Sequence, residues 1–309
     1  MKRLFRILLL LLFLLLTAAV LLTVSHKSLY RHTEQGSKSL TVLSYNTQRI
    51  GGFAKTENNK VVKYLQQCEA DILCLQEVEV YKSDRYLTWA ELRKALKHYP
   101  YYYCDFKIDN RRRQYGNVVF SRYPLTNPAK IGLDSRGNIS SQCDVTVGKD
   151  TIRLFVNHLE SNRLEQNDID SVIQNRSLSH GRLMDKLHTA GRLRRAQARD
   201  IHRRIGKSPY PVIVTGDFNA IPLSVTYLTM RLGLRDCFLC TSNLRVGNTL
   251  VWRGRNSGGD TKNGRTSVLP KLGIRIDYIL CSPCFVPVSF RTDRTYGSDH
   301  YPVISTITW

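Results

Sequence analysis

The chain has 309 residues, 42% of them apolar, and a formal charge of +21. That apolar content supports a sizeable core and excludes a disordered chain, and the length suits one large domain. Residues 1–38 hold six Lys or Arg and one acid, so the remainder carries +16, a surplus that points to an anionic partner: nucleic acid, anionic lipid or another phosphorylated substrate.

Lys2, Arg3 and Arg6 precede an uncharged apolar run from Ile7 to Val24. A helix of that length rises ~27 Å, close to a hydrocarbon core of ~30 Å. Residues 1–24 are therefore expected to form an uncleaved single-pass membrane anchor, with the following domain outside the cytoplasm. Lys27, Arg31 and Lys38 on the other flank act against that orientation. The alternative is a cleaved secretory signal and a secreted domain, although such signals usually have an apolar region of only ~7–15 residues. Residues 25–39 read as a polar stalk. Residues 40–309 show no second linker and no repeat, and read as one domain, expected to be monomeric.

Apolar, β-branched runs bounded by turn residues predict strands at Leu40–Tyr45, Ile72–Gln76, Tyr101–Phe106, Asn117–Ser121, Ile152–Asn157, Val212–Thr215, Arg275–Cys281 and Tyr301–Thr308. Helical periodicity falls between some of them, at Lys60–Cys68, at Trp89–Leu96 and over a long region from about Asp168 to Ile205. The mixture predicts an α/β layered fold with large sheets. Between Ala190 and Ile205, Arg192, Arg195, Arg199 and Arg203 share one helical side, while Ala190, Leu193, Ala198, Ile201 and Ile205 share the other. Arg194 breaks the pattern by falling on the apolar side beside Gln197. A charge there must be paired in a structural ion pair or reach a polar pocket, such as one holding a substrate phosphate.

Two of the cysteine pairs, Cys237/Cys240 and Cys281/Cys284, have the spacing of a thiolate zinc site. The gap between them is far longer than the usual ~15–20 residues, so small core residues, or disulfides in an exported domain, are expected instead.

Polar residues cluster where apolar strands end, the usual place for a site. These clusters are Ser44-Tyr45-Asn46, Leu75-Gln76-Glu77, Asn157-His158-Leu159, Gly216-Asp217-Phe218-Asn219 and Gly297-Ser298-Asp299-His300. Alone, each reads as a turn former or a satisfied polar group. Asp277 is different, because a carboxylate between Ile276 and Ile279 on a core strand needs a specific partner.

Together these segments resemble the endonuclease/exonuclease/phosphatase superfamily, from Leu40 to the C-terminus. The most specific signals are GDFN after Pro211–Thr215 and SDH near the end of the chain. The resemblance implies a four-layer α/β sandwich, two packed mixed sheets flanked by helices. It implies Glu77 and Asp299 as metal-side carboxylates with Asn46 beside them as an amide oxygen ligand or water-positioning group, Asp217 as the group that orients or deprotonates the attacking water, and Asn219 as a holder of a phosphate oxygen. His300 would contact the phosphate or act as base, Asp277 would fix its tautomer, and His158 would donate to a nonbridging oxygen or the leaving group. Arg194 is the further candidate for a substrate phosphate.

If Glu77, Asp217, Asp277 and Asp299 converge, like charges ~4 Å apart repel by about 4 kcal/mol per pair at an effective dielectric near 20. A divalent cation or a protonated histidine would offset this, and carboxylate and amide oxygens suit Mg²⁺ or Mn²⁺ better than Zn²⁺. The expected function is a membrane-tethered, metal-dependent phosphodiesterase or endonuclease acting on nucleic acid by in-line attack of water. The alternatives are a phospholipid-headgroup or inositol-phosphate hydrolase, and an anchored binding protein whose site has decayed.

Overall fold

A computed structural model describes residues 38–51, 55–133, 135, 138–162, 177–241, 247–250 and 274–309. The expected anchor, and the stalk up to residue 37, lie outside the described residues. Among the described residues, no helix is long and apolar enough to cross a membrane.

In chain order the elements are β1 (Ser39–Asn46), α1 (Lys60–Gln67), β2 (Ile72–Tyr81), α2 (Trp89–Ala95), β3 (Tyr101–Asp109), β4 (Arg113–Ser121), β5 (Leu125–Ile131), β6 (Ser140–Val147), β7 (Asp150–His158), α3 (Ser177–Gly206), β8 (Val212–Asp217), α4 (Val225–Arg231), β9 (Arg235–Asp236), α5 (Cys237–Thr241), β10 (Asp277–Cys281), β11 (Val286–Thr292) and β12 (Val303–Thr308). They build two six-stranded sheets, ordered β11-β12-β1-β2-β4-β3 and β5-β6-β7-β8-β10-β9. β1/β2 and β7/β8 are parallel, and the other pairs are antiparallel.

Side chains alternate faces along a strand, and here the alternation sorts the core into layers. Leu40, Val42, Ile72, Cys74 and Val119 of the first sheet meet Cys143, Ile152, Leu154, Val156, Ile213 and Ile279 of the second. The opposite face of the first sheet, with Leu43, Tyr45, Leu73, Leu75 and Phe120, packs on Val61, Val62 and Leu65 of α1 and Leu92 of α2. The opposite face of the second, with Phe155, Val214, Tyr278 and Leu280, packs on Ala198 and Ile201 of α3 and Tyr227 and Met230 of α4. The result is helix, sheet, sheet, helix. Each fully buried large side chain contributes roughly 1.5–3 kcal/mol.

β5 escaped the sequence reading because Pro128 interrupts its pattern. It is an edge strand, irregular between Thr126 and Ala129, where Asn127 takes a left-handed φ of 49°. The cysteine pairs do not come together as one four-thiolate cluster. Cys237 and Cys281 sit in the inter-sheet core with sulfurs 3.8 Å apart, whereas Cys284 is exposed. Burial holds the Cys237 thiol well above its usual pKa, so it is a neutral packing group.

Candidate active site

Four of the expected residues extend the inward-facing series beyond the apolar core, His158 and Asp277 by one step and Asn46 and Asp217 by two, past Ser44 and Thr215. Asn46 continues Leu40 and Val42, His158 continues Leu154 and Val156, Asp217 continues Ile213, and Asp277 continues Cys281 and Ile279. Register then aligns three of them in a row across the second sheet, with His158 opposite Asp217 and Asp217 opposite Asp277. Gly216 makes this approach possible. Its φ is 132°, and a Cβ there would lie 1.9 Å from the Asn157 carbonyl oxygen.

Glu77 reaches the site by breaking the alternation. Simple pairing would put it on the helix side, with Leu73 and Leu75. A register shift between Leu75 and Val78, with Glu77 at φ 54°, turns it inward instead. Downstream of the shift, Val78 and Val80 face the helices and the odd positions face the site.

The segment after Asn46 is wound left-handed at three successive residues, Gln48, Arg49 and Ile50. Such backbone costs roughly 1–2 kcal/mol per residue and persists only where the surroundings fix it. Thr47 Oγ1 donates to the carbonyls of Gln76 and Glu77, and accepts from Ile50 N–H. Asn59 Nδ2 donates to the Ile50 carbonyl at 2.8 Å. From the other end of the chain, Ser298 Oγ donates to the Asn46 carbonyl at 2.8 Å, and Asp299 N–H donates to Gln48 Oε1 at 3.0 Å. Thr47, Gln48 and Ser298 therefore lock the first and last motifs together. The sequence reading gave them no role, since small polar residues at strand ends look like ordinary turn formers.

Asp217 is the electrostatic hub. Its Oδ2 accepts from Asn46 Nδ2 at 3.0 Å and Asn219 Nδ2 at 3.2 Å, and its Oδ1 accepts from Asn219 N–H at 2.8 Å. His158 Nε2 and His300 Nε2 each lie 3.7 Å from Oδ2. Burial, reinforced by Asp277 and opposed by the two histidines, pushes the Asp217 carboxyl up to about 6. His300 Nδ1 lies 2.9 Å from Asp277 Oδ2. Burial works against a charged His300, but Asp277 and Asp217 outweigh it and raise the imidazole to about 10.

Near the mouth, His158 Nε2 lies 3.5 Å from Glu77 Oε1, and Asn46 Nδ2 donates to the same oxygen at 3.2 Å. Asn46 thus turns its amide nitrogen to the carboxylates, and its oxygen accepts from Gln48 N–H at 3.1 Å. Of the two roles expected for Asn46, oxygen ligand or water-positioning group, this orientation suits the second. Asn219, at φ 48°, brackets Asp217 and donates to the Leu159 carbonyl at 3.0 Å. Arg194 is buried, and its Nη1 donates to the Glu160 carbonyl at 2.8 Å, while Gln197 Oε1 accepts from Glu160 N–H at 2.9 Å. α3 therefore anchors the turn after His158. In this arrangement Arg194 holds backbone, which accounts for its place on the apolar side.

An open cleft of about 300 Å³ leads to Glu77 and His158, with Arg49, Arg113 and Tyr115 among its walls. Both arginines lean on Glu79, a nearly fully buried carboxylate: Arg113 pairs with it directly, and Arg49 Nε lies 3.7 Å away.

Two groupings could involve a metal. Asp217, Asp277 and His300 each bring a donor atom within 4.8 Å of the others, all buried. The donors on Asp277 and His300 already satisfy each other at 2.9 Å, so an ion pair explains this trio without a cation. Glu77 and Asp299 fit a cation better. Burial raises the Asp299 carboxyl; His300 opposes this, and the like charge of Glu77 adds to it. Hard oxygen donors of this kind suit Mg²⁺ or Mn²⁺.

The sequence profile of the Endonuclease/Exonuclease/phosphatase family matches residues 43–300. Among the curated proteins compared, none matches the chain. Solved structures with similar folds include the endonuclease/exonuclease/phosphatase from Beutenbergia cavernae DSM 12333, with a TM-score of 0.62 and 17% identity over 88% of this chain and 72% of that one. A truncated Caenorhabditis elegans TDP2 has a TM-score of 0.57 and 17% identity over 89% of this chain and 100% of that one. A humanized D. rerio TDP2 carrying 14 mutations has a TM-score of 0.56 and 17% identity over 88% and 99%. At these identities the likeness concerns the fold.

Proposed function

The chain belongs to the endonuclease/exonuclease/phosphatase family, whose members are generally phosphoester hydrolases, and on that premise we propose that it is a divalent-metal-dependent phosphodiesterase tethered to a membrane. The observation that carries the reading is the convergence of Asp217 with two histidines 3.7 Å from one of its oxygens, beside Glu77.

Glu77 and Asp299 would hold the cation. When bound, it would polarise a phosphoryl oxygen and stabilise the leaving oxygen. Asp217, pushed up to about 6, suits a base that orients the attacking water and takes its proton near neutral pH. His300, raised to about 10, carries a proton on each ring nitrogen at neutral pH. That favours the phosphate-contacting role over the general-base role, with Asp277 balancing its charge. His158, between Glu77 and Asp217, would donate to a nonbridging or leaving oxygen, and Asn219 would hold a phosphate oxygen while keeping Asp217 oriented. No covalent enzyme intermediate is needed, so water attacks in line.

Nucleic acid is the substrate this cleft suits best, because cationic Arg49 and Arg113 flank Tyr115, which offers a ring for stacking. A second reading, a lipid-headgroup ester, is favoured by the exposed apolar residues Ile221 and Leu223 just after Asn219. The test is a panel of DNA, RNA, phosphatidylinositol phosphates, sphingomyelin and a generic phosphate bis-ester, each with Mg²⁺ or Mn²⁺. Turnover of DNA or RNA, falling steeply with salt, supports the first reading. Headgroup release with inert nucleic acid supports the second. No turnover and no metal binding would leave the decayed binding protein, whereas metal-independent turnover would contradict the metal-dependent reading.

A further inference from the structure

Five large apolar side chains lie exposed within twelve residues: Ile221, Leu223, Val225, Leu228 and Leu232, each 48–79% accessible. Single exposed apolar residues are normal, whereas a run of this density marks a contact surface. Helix geometry makes it continuous. Val225 and Leu228 share one side of α4, with Leu232 just past its end, and the buried residues Thr226, Tyr227 and Met230 take the opposite side. Ile221 and Leu223 are exposed in the loop that joins Asn219 to α4.

α3 lies in the same helical layer. Its Ala198 and Ile201 pack in one cluster with Tyr227 and Met230 of α4 against the second sheet. The outward sides of both helices therefore point away from that sheet. On α3 the outward side exposes Arg192, Arg199 and Arg203. Arg203 pairs with Asp200 at 3.2 Å, which leaves the face with net positive charge.

We infer that this outer face, made by the 220–224 loop, α4 and the arginine stripe of α3, rests on an anionic lipid bilayer. Apolar side chains beside arginines are the chemistry of an interfacial surface: the first enter the headgroup–acyl boundary and the second meet anionic headgroups. A protein partner could cover an apolar stripe, but the apolar run Ile7–Val24 already supplies a reason for a bilayer to be near. The segment between Val24 and Ser39 can span at most roughly 50 Å, enough to let the side of the domain lie down. The inference extends the membrane-tethered reading and names the face. It holds for either substrate class, and its test does not depend on turnover.

The test uses the full chain with Leu228→Trp, mixed with or reconstituted into vesicles of phosphatidylcholine and phosphatidylserine, with phosphatidylcholine brominated near the headgroup end of its acyl chains. The added emission, taken as the difference from the parent chain, should shift to the blue and fall by roughly half in brominated vesicles. Adding Arg192→Glu and Arg199→Glu, or omitting phosphatidylserine, should reduce that quenching. Val288→Trp, on β11 of the other sheet, should stay unquenched. Emission that remains red and unquenched at Leu228→Trp would overturn the inference. So would a blue shift that needs no vesicles and rises with protein concentration, because a second copy would then cover the stripe.

Discussion

Asp277 holds His300 at 2.9 Å, Oδ2 to Nδ1, and its own Oδ1 has no hydrogen-bond partner among the described residues. A buried carboxylate with one free oxygen is tolerable only beside a charge, and the imidazolium supplies it. Asp277→Asn keeps the shape and removes the charge. The expected outcome is a His300 pKa well below about 10 and a rate lowered by about 10²–10³-fold, the usual scale for losing one charged contact to the reacting group. NMR titration of the imidazole in metal-free protein, beside steady-state rates, checks both. An unmoved titration would detach His300 from Asp277.

The same pair sets a pH dependence of stability. His300 has a folded-state pKa raised above its unfolded value, so its contribution is complete below about pH 6.5 and is lost as pH rises through about 10. Metal-free protein should therefore lose thermal stability between those limits, and Asp277→Asn should flatten that part of the curve. Melting curves across the range measure it.

Glu77→Ala should abolish turnover while leaving the melting temperature of the metal-free protein nearly unchanged, since the side chain is partly exposed in the cleft. The variant should also lose the stabilisation that Mn²⁺ gives the parent, about 2.7 kcal/mol at a hundred times Kd. Undiminished stabilisation by Mn²⁺ in the variant would remove Glu77 from the metal side.

Asp236 lies outside the site and tests the fold. It accepts from Arg275 Nη1 at 2.9 Å and Tyr227 OH at 2.7 Å, all of them buried. Asp236→Asn leaves the guanidinium uncompensated and should cost about 3–5 kcal/mol, read by urea denaturation. A loss under about 1 kcal/mol would show that the aromatic rings around Arg275 suffice.

Asn46, His158 and Asp217 stood out as polar residues closing apolar strands, and Asp277 as a carboxylate within one, although their roles came from the family likeness. Glu77 was legible only through family likeness. The alternation of Ile72–Gln76 puts Glu77 on the wrong face, and the bulge that corrects it leaves no mark in composition. Arg194 showed as an anomaly on the helical wheel, but its partner is the Glu160 carbonyl, and backbone carbonyls are invisible to side-chain patterning. The left-handed turn at Gln48–Ile50 was hidden for a related reason: no glycine lies within it, and its stability comes from adjacent Thr47 together with Asn59 and Ser298 further along the chain.

The most direct measurement is phosphodiester hydrolysis by the full chain with saturating Mg²⁺ or Mn²⁺, then with chelator, then with metal restored, run beside Asp217→Asn. Turnover that disappears with the metal, returns with it, and is lost by at least about 10²-fold in the variant is the predicted result. Hydrolysis indifferent to chelator, or equally fast in Asp217→Asn, would contradict the account.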